Sequence, residues 1–136
     1  MNIVEYASHF IGKPYIWGGN GSVATSGGFD CSGLVIECLQ AFGLLPKGDW
    51  TAQRLYLWLS NCGWKYSDVG LAPSQGGGIR ASLSFFGKDV TQITHVALDV
   101  DGYQSIEAGG GDKKSKQGMV RIRTTDWRKP LCHLYK

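Results

Sequence analysis

Apolar residues recur every three or four positions in three segments of the first half of the chain, which is the spacing of one helix face. These segments predict helices over residues 3–11, 30–43 and 51–62. Asp30 is a favoured residue to begin the second helix, because its carboxylate accepts the free N–H groups of the first turn. A glycine lies at or just after the end of each segment, as expected where a helix ends.

The second half of the chain changes to short segments rich in aromatic and β-branched residues, a composition typical of strands. Asp101-Gly102 lies between two of them and is a strong signal for a hairpin turn. Helices followed by strands indicate an α+β fold, in which N-terminal helices pack on a central antiparallel sheet. The predicted strands are residues 64–67, 83–86, 94–100, 104–108, 119–123 and 131–135.

The 136 residues, of which 43% are hydrophobic and 18% charged, have the size and composition of one globular domain. We therefore expect a single domain over residues 1–136, acting as a monomer. The formal net charge of +3 is mildly basic, and the one dense basic run, residues 113–116, is typical of a solvated loop. This charge does not indicate a nucleic-acid partner, which usually requires lysines and arginines gathered on one face.

The first ten residues lack the basic and apolar pattern of a secretory signal peptide, and no segment reaches the ~20 apolar residues of a membrane helix. We therefore expect synthesis in the cytoplasm without membrane insertion. Four cysteines would permit disulfides, but without a leader free thiols are expected. The chain has no C-x-x-C pair and its three histidines lie far apart, so we expect no metal site and no cofactor.

Cys31 occupies the first turn of the second predicted helix, where unpaired N–H groups and the positive end of the helix dipole favour a negative charge. Cysteines in such positions are stabilised as thiolates, the nucleophilic form. The same N–H groups can hold the oxyanion of a tetrahedral intermediate. Gly27, Gly28 and Gly33 surround the cysteine and leave room for a substrate. The alternative is a buried cysteine with a packing role.

His95, at the start of the third predicted strand, is the candidate base for Cys31. Cysteine catalysis brings its base from a distant part of the chain. The other two histidines have settings that do not suggest a site, since His9 lies in a terminal helix and His133 in the last strand. The alternative for His95 is a structural strand histidine.

Glu107 is the candidate to orient His95. Pairing across the Asp101-Gly102 turn is expected to bring the two side chains close together, since they lie at similar distances from the turn. A carboxylate there would hold the imidazole in position and stabilise its charged form. The alternative for Glu107 is a strand residue that faces solvent.

Five segments form an ordered set of motifs: residues 13–19 (KPYIWGG), 28–35 (GFDCSGLV), 43–46, 51–53 and 95–98. In this order and spacing they resemble the NlpC family of cell-wall cysteine peptidases, a papain-like group. The first two are similar to its opening and nucleophile motifs, and the last to the strand that carries its base. The resemblance covers most of the chain and implies a papain-like NlpC-type fold.

Carried onto this sequence, the resemblance implies Cys31 as the nucleophile and His95 as the general base. It also implies that Tyr15 provides a hydroxyl beside the nucleophile that assists substrate or oxyanion binding, although a core tyrosine is the alternative. Asp30 and Ser32 would line the pocket for the amino end of the peptide, or else only cap the helix.

The resemblance further implies hydrolysis of an amide bond in peptidoglycan stem peptides, between D-glutamate and a diamino acid. The third catalytic position of the family is most often histidine, and Glu107 takes its place here. Without a leader or wall-binding repeat, the expected setting is a phage lysin, a tail-associated wall hydrolase or an otherwise exported enzyme at the bacterial cell wall. Two alternatives stay open: a thioester acyltransferase or amidase using the same residues, and a non-catalytic structural or binding module.

Overall fold

The structure, a computed structural model, describes residues 1–14, 30–74, 78–109, 118–124 and 128–136. Tyr15 and the basic run 113–116, both singled out in the sequence, lie outside these residues. The described helices are α1 (Ile3–Ser8), α2 (Cys31–Ala41) and α3 (Ala52–Asn61). The described strands are β1 (Lys65–Ser67), β2 (Ser82–Gly87), β3 (Ile93–Asp99), β4 (Gln104–Gly109), β5 (Met119–Thr124) and β6 (Cys132–Tyr135).

The two longer helices begin and end as their sequence predicts. Asp30 caps α2 through Oδ1, which accepts a hydrogen bond from the backbone N–H of Gly33 at 2.6 Å. Thr51 caps α3 in the same way. At the other ends, Gly43 and Gly63 have φ of 69° and 88°. Glycine adopts this left-handed conformation without strain, and it terminates helices.

The first helix is shorter than its apolar pattern predicts, because it ends at Ser8 rather than near residue 11. Beyond it, the backbone N–H groups of His9 and Phe10 bond to carbonyls three residues back, at 3.2 and 3.0 Å. Such bonds form tight turns and do not continue an α-helix. Phe10 still packs against the core, so the apolar spacing reflects contact with the core and not helix length.

One antiparallel sheet contains all six described strands, in the order β1-β6-β2-β3-β4-β5. Its residues alternate between two faces. One face is apolar and packs against α2 and α3, and it includes the buried Leu83, Phe85, Val96, Leu98 and Ile106. The opposite face, called the polar face below, carries serines, histidines, acids and arginines. This arrangement is the predicted α+β fold, with helices on a central antiparallel sheet.

The predicted hairpin joins β3 to β4, but its turn differs from the two-residue type that Asp101-Gly102 suggests. Asp101 Oδ1 accepts hydrogen bonds from the backbone N–H groups of Tyr103 and Gln104, at 2.7 and 2.9 Å. Gly102 does not take the positive φ of a type I′ turn. The aspartate side chain therefore stabilises a longer connection over residues 100–103.

Three buried side chains of the polar face form a hydrogen-bonded cluster, named the Ser82–Asp99–His133 cluster. Ser82 Oγ donates to Asp99 Oδ2 at 2.6 Å, and His133 Nδ1 lies 2.9 Å from the same oxygen. Gly70 covers the aspartate so closely that a Cβ on it would lie 2.9 Å from Asp99 Cγ. The cluster connects β2, β3 and β6 through their side chains.

Candidate active site

Cys31 is the first residue of α2, at the point where this helix meets the start of β3. Its Sγ lies 3.7 Å from the backbone carbonyl oxygen of Thr94, and the residue is partly exposed. The Asp30 carboxylate accepts the backbone N–H of Gly33. The backbone N–H groups of Cys31 and Ser32 have no acceptor in the described part of the chain. The sulfur therefore stands at the positive end of a helix, beside two free amide donors.

His95 places its imidazole between Cys31 and Glu107. Nε2 lies 2.5 Å from Glu107 Oε2, which leaves Nδ1 as the ring nitrogen for Cys31, whose side chain is close enough to raise the pKa of the imidazole. The ring of Phe86 packs beside the imidazole, with 5.3 Å between the centroids. The structure therefore brings together the three residues that the sequence predicts as nucleophile, base and orienting group.

Glu107 reaches His95 along a diagonal of the β3–β4 hairpin. Leu98 pairs with Ile106, so the residue opposite Glu107 is Ala97 and not His95. Diagonal neighbours across a strand pair lie within reach of long side chains. The predicted proximity is confirmed, and Glu107 does not face solvent, since only 1% of its side chain is exposed.

Arg123, on β5, is a member of the site that the sequence analysis missed. Its Nε lies 3.0 Å from Glu107 Oε1. Arg121 and Arg123 alternate with apolar positions, of which Val120 is buried. This alternation is visible in the sequence and indicates a strand. The residues between β4 and β5 do not reveal the register, however, so the sequence could not show which arginine faces Glu107.

The pKa of the His95 imidazole is set by opposing effects. Burial disfavours the imidazolium and lowers the pKa, whereas the hydrogen bonds with Cys31 and Glu107, together with their negative charge, raise it. The net result raises the pKa of His95 from 6.5 to about 9. His95 is therefore positively charged at neutral pH, and an imidazolium beside Cys31 favours the thiolate.

Asp30 and Ser32, predicted to line the substrate pocket or to cap the helix, are bonded to each other at the start of α2. Ser32 Oγ lies 3.3 Å from Asp30 Oδ1, and the same carboxylate oxygen caps the helix. The structure therefore shows the capping role directly. Both residues remain partly exposed beside Cys31, so the cap does not remove them from the reach of a substrate. Tyr15, predicted beside the nucleophile, lies outside the described residues.

The remaining cysteines and histidines stand apart from this arrangement. Burial raises the pKa of the Cys38 thiol to about 12, and it also raises the pKa of Cys132. His9 bonds to a backbone carbonyl within α1, and His133 belongs to the Ser82–Asp99–His133 cluster. All four cysteines are free thiols.

The described residues contain neither a metal-ligand cluster nor a membrane-spanning helix. No group of three or more His, Cys, Asp or Glu side chains there could hold a metal ion. No helix in the same residues combines the length and apolar character needed to cross a membrane.

Comparison with known sequences gives one family. The family model described as the NlpC/P60 family matches residues 12–135 of this chain. Protein P54 of Enterococcus faecium is 32% identical over 126 residues, which make up 92% of this chain and 21% of that protein. The chain therefore spans about a fifth of the length of this curated relative.

Comparison with solved structures gives the same fold. The crystal structure of the NlpC/p60 domain of peptidoglycan hydrolase SagA is 28% identical, with a TM-score of 0.63, and the match covers 97% of this chain and 94% of that one. An NlpC/P60 family protein from Bacillus cereus is 20% identical, with a TM-score of 0.62 over 96% of this chain and 36% of that one. This second likeness concerns the fold alone.

Proposed function

The chain belongs to the NlpC/P60 family, and from this premise we propose that it is a peptidoglycan hydrolase with Cys31 as the nucleophile and His95 as the general base and acid. The observation that carries the proposal is the series of contacts from Cys31 through His95 to Glu107 at the N-terminus of α2. A thiol beside an imidazole that a third group holds in place is the arrangement by which cysteine hydrolases activate their nucleophile.

In the first half of the proposed reaction, the Cys31 thiolate attacks the carbonyl carbon of a peptide amide. The charge that develops on the carbonyl oxygen is held by the backbone N–H of Cys31, which has no acceptor in the described part of the chain. The tetrahedral intermediate then collapses, the C–N bond breaks, and the His95 imidazolium gives its proton to the leaving amine. The product of this half is a thioester on Cys31.

In the second half, water attacks the thioester, and neutral His95 accepts a proton from it. The C–S bond breaks, the free acid leaves, and Cys31 and His95 return to the thiolate and imidazolium pair. Glu107 keeps the imidazole oriented through both halves. Arg123 touches Glu107 and not the reacting atoms, so it is a positioning residue.

The substrate is proposed from the relatives and from the motif resemblance. The SagA domain that aligns over 97% of this chain is named as part of a peptidoglycan hydrolase. The motif resemblance points to the bond between D-glutamate and a diamino acid in the stem peptide. We also propose that residues 1–136 act as one catalytic domain, because one sheet and one core connect the described elements. The phage-lysin setting stays a hypothesis on which this proposal does not depend.

The test is digestion of purified bacterial peptidoglycan, with the released fragments identified by mass spectrometry. We expect fragments with a new amine on the diamino acid and a new γ-carboxyl group on the glutamate. Cys31→Ala should abolish their release while leaving the melting temperature nearly unchanged, because the thiol is partly exposed and the cap at Asp30 remains.

Cys62→Ala is the matched control, because it removes an exposed thiol at the end of α3 and should leave the activity intact. A Cys31→Ala protein as active as the parent would end the proposal. With an added amine, a new amide joining that amine to the fragments would instead identify an acyltransferase.

A further inference from the structure

Arg121 lies directly opposite Glu107 in the β4–β5 pairing, yet the two side chains form no ion pair. Glu107 already contacts His95 through Oε2 at 2.5 Å and Arg123 through Oε1 at 3.0 Å. Arginine opposite a glutamate is normally a favourable cross-strand pair. Here the two carboxylate oxygens contact His95 and Arg123 instead, and Arg121, the arginine nearest in register, makes no ion pair with Glu107.

The guanidinium of Arg121 lies over Gly109, next to the carboxylate of the site. A Cβ placed on Gly109 would lie 3.8 Å from both Nε and Nη2 of Arg121, and 3.2 Å from Glu107 Oε1. Gly109 ends β4 on the side away from the β3–β4 turn, and His95 lies at the corresponding end of β3. The guanidinium therefore extends toward the end of the sheet where His95 meets Cys31.

Arg121 has no hydrogen-bond or ion-pair partner among the described residues, and its Nε is buried without an acceptor. The side chain as a whole is partly exposed. A buried N–H that has left water and found no acceptor is unfavourable unless a ligand supplies the acceptor. The geometry thus leaves an unused, partly desolvated donor beside the Glu107 carboxylate.

The charges of the site balance without Arg121. In the proposed reaction the Cys31 sulfur and the His95 imidazolium form one ion pair, and the Glu107 carboxylate is paired with Arg123. Arg121 adds one positive charge that nothing described offsets. A planar guanidinium binds a carboxylate through two parallel hydrogen bonds, so a carboxylate is the ligand that matches both the charge and the donors.

We propose that Arg121 binds a carboxylate of the stem peptide and thereby selects the substrates that carry one. This inference rests on the proposed function, because it takes the stem peptide as the ligand. Two carboxylates of the same chemistry flank the proposed bond: the α-carboxylate of the glutamate, and the side-chain carboxylate of a diamino acid such as diaminopimelate. The test is designed to tell them apart.

The test compares wild type and Arg121→Gln on three synthetic stem peptides: one with both carboxylates free, one amidated on the glutamate and one amidated on the diamino acid. On the first peptide, Arg121→Gln should lower kcat/KM about 30-fold, as expected when the charged two-bond contact is replaced by at most one neutral amide hydrogen bond. The change should fall mainly on KM, because the carboxylate is bound equally in the ground and transition states. One of the two amidations should cause the same loss in wild type and none in the variant.

Two further variants complete the comparison. Arg121→Lys keeps the charge and should recover part of the lost affinity. Arg80→Gln removes the same charge beside Phe42, at the opposite end of α2 from Cys31, and should change nothing. An equal loss for Arg121→Gln on all three peptides, or no loss on any, would overturn the assignment of a carboxylate to Arg121.

Binding measured by calorimetry on the Cys31→Ala protein separates this inference from the proposed reaction. If wild type cleaves none of the peptides while the free carboxylate and Arg121 still strengthen binding, the hydrolase proposal fails and the anion site stands. If cleavage occurs but the free and amidated peptides bind alike, the anion site fails and the hydrolase stands. If no peptide is bound or cleaved, both fail.

Discussion

At the scale of single residues, Glu107, the third member of the site, is a charged orienting group and not a neutral one. Glu107 is almost fully buried and carries a negative charge against His95. That charge acts with Cys31 to raise the pKa of the imidazole to about 9, against the lowering effect of burial. A buried carboxylate also needs compensation of its own, which explains the contact with Arg123.

Glu107→Gln tests the contribution of this charge. The amide can still accept a hydrogen bond from Nε2, but it no longer stabilises the imidazolium, so the pKa of His95 should fall. Below about pH 9 wild-type His95 keeps the proton that the leaving amine needs. The alkaline limb of the kcat/KM profile should therefore lie near pH 9. We expect the variant to lose about 100-fold in kcat/KM at neutral pH and to shift this limb to lower pH.

Glu5→Gln is the matched control for that variant. It removes a carboxylate of the same kind from α1, and it should leave the position of the limb unchanged. A Glu107→Gln profile with the wild-type alkaline limb would show that the carboxylate only orients the ring. Thermal melting of both variants checks that the fold survives the change beside Arg123.

The sequence could predict Cys31, His95 and Glu107 because each has a local signal: a helix start after glycines, an apolar strand, and a turn that relates two strands. It could not predict Arg121 or Arg123 as neighbours of Glu107. Their roles depend on which residue of β5 stands opposite β4, and a shift of two residues would exchange them.

At the scale of elements, the polar face of the sheet is built from strands whose buried polar atoms are nearly all paired. Asp99 Oδ2, on β3, is contacted by Ser82 from β2 and by His133 from β6. Buried polar groups are tolerated when they are hydrogen-bonded. The Ser82–Asp99–His133 cluster therefore holds β6, β2 and β3 in register on the face that also carries His95.

Asp99→Ala tests how much this cluster contributes to the free energy of unfolding. Removing the carboxylate leaves a buried hydroxyl and a buried imidazole without their acceptor. We expect a loss of about 3 kcal/mol in the free energy of unfolding, measured by urea denaturation. Asp68→Ala, at an exposed aspartate, should change it by less than about 0.5 kcal/mol. A loss for Asp99→Ala as small as that of Asp68→Ala would contradict the structural role of the cluster.

The sequence predicts most elements well, because their signals are local. The six strands, α2 and α3 fall close to their predicted bounds, and the caps at Asp30 and Thr51 lie where the residue types indicate. The end of α1 was not predictable, since the apolar spacing continues through a turn that still contacts the core. The β3–β4 turn was mistaken because the Asp101 side chain stabilises a longer loop.

At the scale of the whole molecule, the topology places residues far apart in sequence around one sulfur. The sheet order inserts β6 between β1 and β2, an arrangement that no local pattern specifies. The N-terminus of α2 then meets the start of β3, 63 residues later in the chain, while β4 and β5 bring their charged side chains to the same end. Strand pairing therefore determines where the side chains of the site lie, whereas local sequence motifs indicate which residues they are.

The central claim is that Cys31 is held as a thiolate by the His95 imidazolium, and the rate of alkylation by iodoacetamide at pH 6, resolved by peptide mass spectrometry, tests it most directly. An ordinary thiol with a pKa of about 8.5 is almost entirely protonated at that pH. The account predicts that Cys31 reacts at least about tenfold faster than the exposed Cys62, and that His95→Ala removes this excess. Equal rates for Cys31 and Cys62 in the folded wild-type protein would contradict it.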